Sequence, residues 1–256
     1  MQYDIRVHAA HAALVVALGI AVSFITSAVV ASRAYKARGE QAVRAAQVIT
    51  VKGSARQRAE SDRAVWQIYV RGDGRTLVDG FTVLEAGVLR VRDFLGETGF
   101  GDTEIGLAAI DTDTHYVRDA EGNETPEIAG YTMRRTFTVS TPDVRRIEQA
   151  AGRVTALIEQ GVHVTSGAPD YYVTQLPRMR VELMELASAD ARARAEKIAT
   201  STGCRLGPLR DAQMGVLQVV RPYSTEVASY GLYDTGTIEK DVQAVVSATF
   251  SIAAAP

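Results

Sequence analysis

The chain has 256 residues, 46% of them hydrophobic and 23% charged, with a formal net charge of −2. This is globular composition without a global pull toward nucleic acid or an acidic surface. A single cysteine, Cys204, excludes an intramolecular disulfide and a thiolate-based zinc site; Gly-x-Ser-x-Gly elbows, phosphate loops and dinucleotide fingerprints are absent from the sequence.

Residues 1–8 form a short tail. From Ala9 to Ala31 only His11 can ionise. A helix of that length crosses a hydrocarbon core of about 30 Å. Val29-Val30-Ala31 has the look of a signal cleavage site, but the apolar run exceeds the ~7–15 residues of a secretory signal, so an uncleaved membrane anchor is expected. Within it Gly19, Ser23 and Ser27 recur every four residues, a small-residue face on which spans can pack. Arg33, Lys36, Arg38 and Arg44 follow the span and only Arg6 precedes it. That count alone would place the rest of the chain in the cytoplasm. Residues 32–46, charged and Ala-rich, read as a stalk.

The stretch 47–252 shows no composition break and reads as one domain, followed by a tail at 253–256. A short β-branched run, Gln47–Gly53, opens it. In a second strand, Ala64–Val70, Trp66, Ile68 and Val70 alternate against Val65, Gln67 and Tyr69. Leu77, Phe81, Leu84, Val88, Val91 and Leu95 then form the stripe of a helix ended by Gly99. Strands at 104–117 and 131–139 flank the turn-rich Asp119–Pro126 and predict a hairpin. Thr141-Pro142-Asp143 opens a helix with Pro at its first position, Asp in its first turn and the face Val144, Ile147, Ala151, Val154 and Leu157. A strand is expected at 163–175. A third helix runs from Pro177 to Gly203 with the narrow face Met184, Ala187, Ala191, Ala195 and Ile198. Strands at 210–220 and 241–252 bracket a polar loop, Arg221–Lys240. The order predicts an α+β domain: an antiparallel sheet with helices packed on it.

Three pieces of sequence carry a family resemblance: Ile49-Thr-Val-Lys-Gly53; Ile128-Ala-Gly-Tyr131 with Phe137-Thr-Val139; and Ala187–Ala199 followed by Gly203-Cys-Arg-Leu-Gly207. With them the chain resembles SIMPL-domain proteins, which include bacterial periplasmic and outer-membrane-associated antigens. The resemblance implies export to the periplasm, no established catalytic residues, a loose link to envelope and oxidative stress, and, in one branch, ring- or channel-like homo-oligomers. It outweighs the positive-inside count, so a single-pass inner-membrane protein with a periplasmic domain is expected.

The one constellation with metal-ligand chemistry is Asp111-Thr-Asp113-Thr-His115, whose period of two puts both carboxylates and the imidazole on one strand face. The plainer reading is a solvated face, and no metal or cofactor is expected. His163 is expected to be a partly buried structural histidine and Cys204 a small apolar residue. Gly72-Asp-Gly74 and Gly99-Phe-Gly101 read as turn signals. Arg134, Arg135, Arg145 and Arg146 are expected to lie in solvated ion pairs without the aromatic interleaving of a nucleic-acid site. Tyr223, Val227, Tyr230, Leu232 and Tyr233, in a long aperiodic loop, read as a subunit interface. The expected function is a non-enzymatic, membrane-anchored envelope protein whose partner is itself. The alternatives are an adaptor for another envelope protein and a metal-dependent enzyme at Asp111, Asp113 and His115.

Overall fold

The computed structural model describes residue 23 and residues 26–36, 38–39, 47–226 and 230–254. Residues 26–36 are helical and exposed. The expected span Ala9–Ala31 lies mostly outside the described residues, as does Gly19. Among the described residues no helix is long and apolar enough to cross a membrane.

The remainder is α+β. In chain order it runs β1 (Val48–Glu60), β2 (Arg63–Gly74), α1 (Leu77–Glu97), β3 (Ile105–Leu107), β4 (Asp111–Arg118), β5 (Glu124–Thr141), α2 (Val144–Arg153), β6 (His163–Ser166), β7 (Asp170–Tyr172), α3 (Leu176–Ser201), β8 (Cys204–Met214), β9 (Gln218–Val220) and β10 (Glu239–Ala254). The chain divides into two compact units. One comprises residues 54–188 and 214–246; the other, smaller, comprises 1–53, 189–213 and 247–256.

The larger unit holds a six-stranded sheet of order β3-β5-β2-β6, with β4 also on β5 and β7 also on β2. The expected strand at 104–117 is thus two strands that share one side of β5, β3 opposite Phe137–Val139 and β4 opposite the stretch from Glu124 to Arg134. The expected strand at 163–175 likewise divides into β6 and β7, which share one side of β2. On β2 the alternation holds: Ala64, Trp66, Ile68 and Val70 are fully buried and Gln67, Tyr69 and Arg71 are exposed. Across β5, Trp66 faces Val139 and Ile68 faces Phe137. Each such side chain taken from water stabilises the fold by about 1.5–3 kcal/mol.

Helix α1 starts at a capping box in which Thr76 accepts from the Asp79 amide and Asp79 returns a bond to Thr76. Its buried side is Gly80, Leu84, Gly87, Val88, Val91, Phe94 and Leu95. Leu77 and Phe81, expected on that stripe, are about half exposed. The reason is a close approach of backbones. A Cβ on Gly72 would lie 2.4 Å from the Gly80 carbonyl oxygen, and one on Gly74 would lie 2.2 Å from the Gly80 nitrogen. The helix therefore turns glycine, not Leu77 or Phe81, toward the sheet. Gly72 and Gly74 are packing residues rather than turn signals alone. Phe100, between Gly99 and Gly101, is also core, 5% exposed beneath the Arg146 guanidinium at 4.6 Å.

Helix α2 begins two residues later than expected: Asp143 is its cap, accepting from the Arg146 amide, and the stretch Val154–Gln160 tightens into a 3₁₀ helix closed by left-handed Gly161. Along α3 the buried positions are Met179, Leu183, Ala187, Ala191, Ala195 and Ala199, one every fourth residue, while Met184 and Ile198 are exposed. In the larger unit Met179 and Leu183 pack with Val173, Val219, Val242 and Ala244. In the smaller unit Ala191 and Ala195 pack with Val51, Ala248 and Phe250. The second sheet has the order β1-β10-β8, with β9 also on β10. The expected strand at 210–220 is broken at Gly215 into β8 and β9. A Cβ at Gly207 of β8 would lie 2.4 Å from the Ser251 hydroxyl, so this glycine too is a close approach.

The glycine contact makes a contrast that chemical denaturation can check. Gly72→Ala is expected to destabilise by about 1–3 kcal/mol, because the added methyl meets backbone. At Gly80 the nearest atom to an added Cβ is 3.5 Å away. Gly80→Ala is therefore expected to be neutral or to stabilise by up to about 1 kcal/mol through helix propensity.

Candidate functional site

Two polar features of the larger unit bear on function. The first is the outer face of the six-stranded sheet. Register places Asp111, Asp113 and His115 of β4 opposite Arg134, Thr132 and Gly130 of β5. The three do share a face, but they do not converge. The Arg134 guanidinium donates to Asp113 and lies 3.8 Å from Asp111, standing where a shared cation would have to sit. His115 Nε2 is 2.8 Å from the Thr132 hydroxyl, which donates to Asp73 at 2.6 Å. The threonine has one proton and gives it to Asp73, so Nε2 of His115 carries its own. Asp73 also pairs with Arg71 at 3.0 Å and faces His163 Nδ1 at 3.5 Å. The Thr132 hydrogen bond, with Arg71 and His163, outweighs partial burial and holds the Asp73 carboxyl below its usual range. His163, expected partly buried, is exposed because β6 presents it to this outer face. Among the described residues no three His, Cys, Asp or Glu side chains are grouped to hold a metal ion.

The expected arginine patch is dispersed into pairs: Arg135 with Glu85 at 3.0 Å, Arg145 with Glu60 at 3.1 Å and Arg146 with Glu104 at 2.9 Å. Cys204 is half-buried at the start of β8, its sulfur 3.8 Å from the Thr202 carbonyl.

The second feature is the loop between β9 and β10. Its base is built on Lys240, whose side chain is fully buried. The ammonium donates to the Asp234 carbonyl at 2.5 Å, the Thr237 carbonyl at 2.7 Å and the Asp234 carboxylate at 3.2 Å. Three donors thus meet three acceptors. Burial lowers the Lys240 pKa against the pull of Asp234. Burial alone would raise the Asp234 carboxyl, but the Thr237 hydroxyl and the Lys240 ammonium bring it below its usual range. Upstream, the Leu232 carbonyl accepts from Val219, the Asp234 amide donates to the Val219 carbonyl, and the Leu232 amide donates to the Gln218 side chain at 2.8 Å. The Tyr233 hydroxyl accepts from the Val173 amide at 3.3 Å, and its ring lies 6.2 Å from that of Tyr172.

The five residues expected at an interface therefore separate. Leu232 and Tyr233 are engaged within the chain. Val227 lies outside the described residues. Tyr223 and Tyr230 are 82% and 83% exposed. Tyr223 adopts a left-handed backbone with φ of 65°, rare for a bulky residue. Its amide donates to Asp241 at 3.4 Å, and the Arg58 guanidinium covers its ring at 5.1 Å. Of the expected membrane-packing residues, the Ser23 carbonyl accepts from Thr26 at 3.0 Å, and Ser27 is exposed.

Lys240 was the residue that pattern reading missed, since it closed an apparently polar loop. Its signal was parity: stepping back by two from Val242, which shares the buried side of β10 with Ala244, lands on Lys240.

Compared with known families, residues 49–250 match the model of SIMPL, described as a protein of unknown function (DUF541). The chain belongs to the SIMPL family. Among curated proteins none matches it. The SIMPL match starts in β1 and ends in β10, so it takes in both the outer sheet face and the Tyr-bearing loop.

The two features differ in what holds them, and substitution should separate them. Lys240→Met strips the Asp234 and Thr237 carbonyls and the Asp234 carboxylate of their donor and is expected to cost about 3 kcal/mol in thermal or chemical denaturation. Asp113→Ala, on the solvated face, is expected to stay within about 0.5 kcal/mol of the parent.

Proposed function

We propose that this SIMPL chain is a membrane-anchored, non-enzymatic envelope protein that assembles into a closed homo-oligomer, with the Arg221–Lys240 loop at the subunit contacts. The observation that carries the reading is the pair Tyr223 and Tyr230, more than four-fifths exposed on a loop whose base is fixed by a buried lysine. Ordering a loop costs conformational entropy, and a loop ordered in advance binds with less to lose. Tyr is enriched at interfaces because it buries a large ring and keeps a polar tip wet. The left-handed backbone at Tyr223 is a further cost, retained by Asp241 and Arg58. One patch meeting a different patch on the next copy closes into a ring or runs on as a filament.

The apolar run Ala9–Ala31 supports an uncleaved anchor, and the resemblance of Ile49–Gly53, Ile128–Tyr131 and Ala187–Gly207 to exported proteins supports a periplasmic domain. A metal-dependent enzyme is disfavoured by Arg134, which already neutralises the carboxylates that a metal would need.

Mass photometry of the full chain in detergent tests the assembly. The wild type is expected at a fixed multiple of 27.6 kDa, and the Tyr223→Ser/Tyr230→Ser variant at the single-chain mass with unchanged melting. A wild type that is already a single chain would favour the adaptor reading. A double variant that keeps the large mass would remove the loop from the interface.

A further inference from the structure

On the larger unit a surface cleft of about 430 Å³ opens between the start of α2, the turn before β7 and the turn before β10. Arg145, Glu148, Pro169, Tyr171, Ile238 and Glu239 are among its walls. Tyr171 is only 5% exposed, its ring being part of the apolar core. It also lines this cleft, and its hydroxyl has no hydrogen-bond partner among the described residues. The hydroxyl's hydrogen-bonding capacity is therefore unused within the chain and open to whatever enters the cleft. Burial, reinforced by Glu148, raises the phenol's pKa, so the hydroxyl stays neutral and keeps an oxygen able to accept.

The charges around it are unequal. Arg145 pairs with Glu60 at 3.1 Å and Glu148 at 3.6 Å, and Glu239 adds a third carboxylate acting on the same guanidinium. One cation against three carboxylates leaves room for another positive charge. The wall formed by the turn before β10 is preset: the Thr237 carbonyl is held by Lys240, and the Ile238 carbonyl accepts from the Ser61 amide at 2.9 Å. Pro169 and Ile238 supply an apolar wall of the kind along which Lys and Arg stems lie.

We infer that this cleft binds a cationic group on an aliphatic stem, an ammonium or guanidinium that donates to the Tyr171 hydroxyl while Glu148 and Glu239 offset its charge. An anion would meet the carboxylates, and an uncharged ligand would cover them without a partner. The inference goes beyond the assembly reading and stands without it. The same chemistry has two sources, a basic side chain of a partner protein and a free polyamine.

Titration calorimetry on the full chain in detergent tests it, with N-acetyl-lysine amide and spermidine as probes and N-acetyl-norleucine amide as the uncharged control. At least one charged probe is expected to bind, more weakly as salt is raised, and the control not to bind. Glu148→Gln/Glu239→Gln is expected to weaken binding by about tenfold or more, and Tyr171→Phe by several-fold, with melting unchanged. Tighter binding of the lysine amide points to a protein side chain; tighter binding of spermidine points to a polyamine. Control binding equal to that of the charged probes overturns the inference, as does no binding by either charged probe, or unchanged affinity in the carboxylate variant. Should Tyr171→Phe fail to fold, Glu239→Gln at its exposed position decides alone.

Discussion

A buried ammonium is costly unless its three donors are met, and Lys240 shows how this chain meets that demand. The acceptors come from Asp234 and Thr237, a few residues upstream, so satisfying the lysine requires the chain to fold back on itself before entering β10. The path of the preceding loop follows. Asp234 and Leu232 are drawn alongside Val219, Tyr233 reaches Val173, and the wall of the Tyr171 cleft is held by the same turn. A neutral residue of similar length would leave these three acceptors without their common donor.

The glycine approach of α1 to β2 does similar work for the six-stranded sheet. By bringing the helix backbone down onto Gly72 and Gly74, it leaves that face to the apolar core and turns β2's polar residues outward. There Arg71, Asp73, Thr132, His115 and His163 form one cross-strand chain of partners. Such a face is solvated and internally satisfied. Its Asp111 and Asp113 carboxylates face the Arg134 guanidinium, and Asp73 faces Arg71.

Much of this was legible in the sequence. The period of two in β2, and in β10 from Val242 to Phe250, is clear because buried residues alternate there with more exposed ones. The shared face of Asp111, Asp113 and His115 followed from the same rule. What the rule could not supply was register: only the pairing of Asp111 with Arg134 reveals the cation between the carboxylates. Helix α1 was misread at Leu77 and Phe81 because a hydrophobic stripe ignores glycine, and here glycine sets the contact. In α3 the alanines were read correctly, but the buried row runs strictly every fourth residue, which exchanges Met184 and Ile198 for Leu183 and Ala199. Tyr233 was grouped with Tyr223 and Tyr230 by residue type; its backbone partners, invisible in sequence, set it apart.

The claim that a buried lysine presets this loop is tested most directly by native-state hydrogen exchange. The amides of Leu232 and Asp234 are hydrogen-bonded in the loop base. They are expected to exchange as slowly as those of neighbouring strand β9, and to lose that protection selectively in Lys240→Met while the amides of β2 keep theirs. Exchange of Leu232 and Asp234 at the rate of an unstructured peptide in the wild-type chain would contradict the account.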